Sequence, residues 1–100
     1  MCSSLRGDIK EYIEYIRNTV PEAVLYEQLA EECNELAQAC LKKARKLRGD
    51  SYTPISMEVI DDSLNEEYTD VQLCANTCGL DVDLSIEHKK LVRWIKRNEK

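Results

Sequence analysis

Residues 25–40, LYEQLAEECNELAQAC, decide how this chain folds, because a helical apolar seam runs through them and a carboxylate stands inside it. Leu25, Leu29, Leu36 and Cys40 recur at helical spacing on one face, and the slot between Leu29 and Leu36 is taken by Glu32. A second stretch repeats the pattern. Ile60, Leu64, Val71, Cys74 and Cys78 follow steps of four and three, and the interrupting residue is Glu67. Each intruding acid has a partner one turn on, Glu35 after Glu32 and Asp70 after Glu67, so each pair shares a helix face. Turning four mutually repelling carboxylates toward a core is prohibitive unless cations neutralise them, and a hard divalent metal does so with oxygen ligands.

Working outward, the remaining helices fall into place. Asp8 with Glu11 forms a capping-box-like start for a first helix that carries Ile9, Tyr12, Ile13 and Ile16 on one face and ends near Asn18. Pro21 and Glu22 suit the first turn of the second helix, whose acidic start and basic end complement the helix dipole and which reaches about Arg48 before Gly49. The segment GDSYTPIS, residues 49–56, reads as the one substantial loop, a lid or rim, with Pro54 holding Thr53 out of helical geometry. A third helix starts at Ser56, or restarts near Ser63 with Glu66 as a second capping box, and reaches Gly79; one helix with a kink is the preferred reading. A fourth runs from about Asp83 to Asn98, with Leu84, Leu91, Trp94 and Ile95 expected on its inner side. The fold class expected is all-α, a four-helix-type bundle formed by residues 1–100 as a single domain.

A hundred residues support one modest core and enclose a ligand poorly alone, so a homo-oligomer, a homodimer or homotetramer, is expected. The net charge of −5, with 33% of residues charged, argues against a nucleic-acid partner held by phosphate attraction. No stretch has transmembrane length, and the N-terminal residues lack the apolar run of a secretion signal, so a cytoplasmic protein without a membrane partner is expected. Of five cysteines, Cys33, Cys40, Cys74 and Cys78 sit at helical spacing and read as reduced, small core residues; no C-x-x-C spacing or adjacent histidine supports a zinc set.

Two acid pairs on facing helices suit one or two Mg²⁺ or Mn²⁺ ions acting on phosphate oxygens, and hence phosphoanhydride hydrolysis. A di-iron carboxylate bundle would need E-x-x-H motifs, and the single histidine, His88, has Ser85 three residues before it. Glu31 and Glu66 read as surface acids, as does the basic run Lys42, Lys43, Arg45 and Lys46 as a solvated helix end. Tyr26, Tyr52, Tyr68 and Trp94 are all amphipathic aromatics able to stack on a base or line a helix interface.

The text EQLAEECNELAQA followed by LNEEYTDV resembles the E-x-x-E and E-x-x-D signature of the MazG-like, all-α nucleoside triphosphate pyrophosphohydrolases. The resemblance spans roughly residues 22–93 and includes GLDVDLSIEHKKL, similar to the family's turn and following helix. It implies Mg²⁺-dependent cleavage between the α and β phosphates of a nucleoside triphosphate, yielding monophosphate and pyrophosphate, in a helical oligomer. By this resemblance Glu32, Glu35, Glu67 and Asp70 are the metal-binding and catalytic positions, and Lys90 matches the family's lysine. Lys90, Arg93 and Arg97 share a helical face and are expected to meet the outer phosphates. The competing expectation is a non-catalytic helical oligomerisation module whose acids form interchain ion pairs with the basic helix ends.

Overall fold

The computed structural model describes residues 9–49 and 54–99. Within them the chain forms four α-helices and no strand: α1 (Ile9–Thr19), α2 (Glu22–Arg48), α3 (Met57–Thr77) and α4 (Leu84–Asn98). Asp8, Asp50, Ser51, Tyr52 and Thr53 lie outside the described residues, and with them the Asp8 cap and most of the 49–56 loop.

The ends of the helices follow local chemistry. The Pro21 carbonyl accepts from the amides of Val24 and Leu25, opening α2, and Gly49 closes it at φ +70° with its amide on the Arg45 carbonyl at 3.0 Å. The Ser56 hydroxyl accepts from the Val59 amide at 3.3 Å, which makes Ser56 the N-cap of α3. No break occurs at Ser63; α3 is continuous to Thr77. It ends in a Schellman motif, in which the Gly79 amide bonds to the Asn76 carbonyl and the Leu80 amide to the Ala75 carbonyl, both at 3.0 Å. Gly79 holds φ +77°, and an added Cβ would lie 3.1 Å from the Arg17 guanidinium, so this glycine both permits the turn and lets α1 approach. Asp83 caps α4, its carboxylate accepting from the amides of Ser85 and Ile86.

The main packing is between α2 and α3, and α1 rests on α3. Among the described residues, Leu25 and Ile60 are the buried apolar ones, 7% and 2% exposed, with Thr77 buried beside the α3 terminus. Lys43 pairs with Asp61 across the α2–α3 interface at 2.6 Å, which corrects the reading of Lys43 as a merely solvated residue. Leu29 and Leu36 are half-buried, as are Cys74 and Cys78, but Cys33 and Cys40 are exposed and not core residues. A two-helix seam has only one covered flank, so positions on its edge face solvent.

α4 departs from the expected bundle more sharply. It shares no packed face with the other helices, and residues 79–99 are exposed throughout, including Leu84, Leu91, Trp94 and Ile95, expected to face inward. The expectation fails because periodicity identifies an apolar stripe without saying which surface covers it. The radius of gyration, 17.5 Å, correspondingly exceeds the roughly 13 Å of a compact chain of this length.

Candidate metal centre

The α2–α3 pairing brings the two acid-bearing faces together. One carboxylate oxygen from each of Glu32, Glu35 and Glu67 lies within 4.8 Å of the others. Glu32 and Glu67 are half-buried, as their core-slot positions require, whereas Glu35 is exposed at the edge. Asp70, half-buried one turn beyond Glu67, stands outside this trio but contributes to the negative field at Glu67. The structure therefore gathers three of the four expected ligands and leaves the fourth alongside.

Glu32 is held from within its own helix. Gln28, one turn earlier, donates its side-chain amide to Glu32 Oε1 at 2.9 Å, leaving Oε2 buried without a hydrogen-bond partner. Glu67 Oε2 is likewise buried and unpartnered. Buried carboxylate oxygens without donors are costly, and these two face a cluster of like charge. The strain appears in the Glu67 carboxyl, whose pKa is raised above its ordinary 4.5, first by burial, then by a hydrogen bond with Glu35 and by the charges of Glu35, Asp70 and Glu32. Sequence reasoning missed Gln28, although its position one turn before an acid was the available signal.

Burial, followed by the charges of Glu32 and Asp70, pushes the neighbouring Cys74 thiol up. The donors that converge in the trio are carboxylate oxygens, which fit Mg²⁺ or Mn²⁺.

Beside the trio a groove of about 440 Å³ opens between α2 and α3, with Glu35 and Glu67 on its wall, the aliphatic Leu41, Val59 and Ile60 along it, and Lys42 and Arg45 also lining it. Lys42 and Arg45, read from sequence as a solvated helix end, thus border the acid-bearing groove. Lys90, Arg93 and Arg97 line a separate shallow depression with Trp94 on α4. Glu31, Glu66 and His88 are exposed, as are Tyr26 and Tyr68. No helix among the described residues is long and apolar enough to cross a membrane.

No protein-family model matches the chain, and neither a curated protein nor a solved structure matches it.

Proposed function

We propose that the protein is a Mg²⁺-dependent nucleoside triphosphate pyrophosphohydrolase of the MazG-like type, cleaving the α–β phosphoanhydride to monophosphate and pyrophosphate in the cytoplasm. The observation that carries this reading is the convergence of Glu32, Glu35 and Glu67, two of them with a buried and unpartnered oxygen. Such oxygens have no hydrogen-bond partner among the described residues, and a divalent cation would provide the compensation. Glu32, Glu35 and Glu67 would hold the ion, with Asp70 completing the negative set. Bound there, Mg²⁺, or Mn²⁺ in its place, supplies charge neutralisation at the phosphate oxygens. Gln28 fixes the Glu32 carboxylate, and Lys90, Arg93 and Arg97 bind the outer phosphates through charge-assisted hydrogen bonds.

A second reading, a non-catalytic helical oligomerisation module, draws support from the uncovered apolar stripe of α4. Pyrophosphate release across a panel of nucleoside triphosphates, with melting in chelator and in millimolar Mg²⁺, separates the two. Metal-dependent release and a raised midpoint are expected; a midpoint indifferent to metal with no release from any nucleotide would select the module.

A further inference from the structure

The α2–α3 groove carries two cations that the fold itself does not use. On α2, Glu35, Gln38, Lys42 and Arg45 follow steps of three, four and three, so one edge of the helix lines the groove from the acid trio to the basic end. At a rise of about 1.5 Å per residue, Lys42 and Arg45 stand about 10 and about 15 Å along the axis from Glu35. Helical side chains tilt toward the helix N-terminus, which here is the direction of Glu35, so both bases lean back along the groove toward the acids.

The four bases at this end of α2 divide into two pairs. Lys43 is tied to Asp61 at 2.6 Å, and Lys46 also has an interaction of its own. Lys42 and Arg45 are exposed on the groove wall, and their side chains form no ion pair or hydrogen bond among the described residues. The two bases without a partner are thus the two that share a wall with Glu35 and Glu67. Lys90, Arg93 and Arg97 line a depression confined to α4, which shares no packed face with α2 or α3. Within one copy, then, Lys42 and Arg45 are the cations beside the trio among the described residues.

We propose that Lys42 and Arg45 are a further pair of phosphate-binding residues, holding a polyphosphate chain that starts at the acid trio and runs along α2 toward its C-terminus. The order of charge in the groove fits such a ligand. Its acid end meets a phosphate only through a cation, and its basic end meets one directly, so a linear anion with several charges spans both. Arg45 offers paired planar donors and Lys42 a compact charge. Of the residues that line the groove, Glu35 and Glu67 are the only acids, so nothing repels an anion at the basic end. A nucleoside seated there would use Leu41, Val59 and Ile60 and leave both cations uncompensated. The metal at the trio, and a nucleotide as the owner of the phosphates, rest on the proposed function; the test therefore reads binding at Lys42 and Arg45 and not turnover.

The test is titration calorimetry of the full chain in millimolar Mg²⁺, with inorganic tripolyphosphate as one probe and the four α,β-imido deoxynucleoside triphosphates as the other. Lys42→Gln and Arg45→Gln are each expected to weaken both probes roughly tenfold, and by the same factor for each, because what is lost is a charge-assisted bond to phosphate. Arg48→Gln removes an equal charge from the same helix end but outside the groove, and should change either affinity less than about twofold. Helicity in circular dichroism should match wild type; Lys42→Ala or Arg45→Ala replaces a Gln variant that loses it. Unchanged affinity in both variants would overturn the proposal. So would a loss confined to the nucleotides, which would put the nucleoside at this end, an equal loss in Arg48→Gln, or a wild type that binds neither probe. Pyrophosphate release by wild type alongside unchanged variants would remove the phosphate role and leave the proposed function. Tripolyphosphate binding weakened as expected, in a protein that hydrolyses no nucleotide, would uphold the phosphate site and remove the function.

Discussion

Glu67 stands where a leucine would complete the α3 seam, and its half-buried carboxyl shares space with Glu35 and Glu32. Because its folded-state pKa lies above the ordinary 4.5, the folded state binds its proton more tightly than the unfolded chain does. In chelator this contribution is fully present below the ordinary value and is lost as pH rises through the raised one. Glu67→Gln keeps the shape and removes the charge, so at neutral pH in chelator the variant should melt above wild type and lack that part of the pH slope. The same change should remove most of the Mg²⁺ stabilisation. A Gln variant less stable than wild type in chelator, with an unaltered Mg²⁺ response, would mean that the acids serve a structural ion pair instead. Gln28 acts through Glu32, by way of the 2.9 Å bond that orients it. Gln28→Ala should weaken Mg²⁺ affinity by roughly 10–100-fold, as losses of ligand-orienting groups do, with little change in the chelator midpoint. Mg²⁺ titration followed by melting reads both quantities, and unchanged affinity would remove Gln28 from the site.

At the scale of the elements, what the sequence discloses depends on how local its cause is. Ser56 and Asp83 cap α3 and α4, and Gly49 and Gly79 end α2 and α3, because each is a short-range hydrogen-bond or φ requirement written in one or two residues. The acids are legible for a related reason: Glu32 and Glu67 break a periodic seam, and the two seams pack on each other. Burial at the seam's edges is not legible, since Cys33 and Cys40 have the same spacing as covered residues and become exposed only because no third helix overlies them. The exposure of the α4 apolar stripe is not legible for the same reason. The cap of α4 permits a direct test. Asp83→Ala removes a side chain that bonds two α4 amides, at a cost of about 1 kcal/mol. Since α4 lacks packing within its own chain, that loss should appear as reduced helicity and weaker self-association, with the α2–α3 pairing intact. By contrast, Lys43→Ala removes a pair whose side chains are 34% and 43% exposed, and should cost at most about 1 kcal/mol, less at high salt. If Asp83→Ala left helicity and association as they were, α4 would be held by contacts other than its cap.

For the whole molecule, two features bear on the proposed metal and the expected second copy: among the described residues an apolar interior that buries little beyond Leu25 and Ile60, and an acid trio with two unpartnered oxygens. A metal and a second copy, if each binds the folded state, would enter the stability by mass action, and the two would enter separately. If folding and dimerisation are one transition, each tenfold rise in protein concentration adds about 1.4 kcal/mol per dimer, which for some two hundred residues raises the midpoint by roughly 3–5 °C. Mg²⁺ at a hundredfold excess over its Kd adds about 2.7 kcal/mol per site at any protein concentration. Melting wild type over two decades of protein concentration, first in chelator and then in Mg²⁺, resolves the two dependences. The expected result is two parallel lines, displaced upward by the metal. A flat line in both conditions would show that the monomer folds without a second copy, leaving the metal site standing if the displacement persists. Coincident sloping lines would remove the metal site and leave a helical dimer whose acids serve association alone.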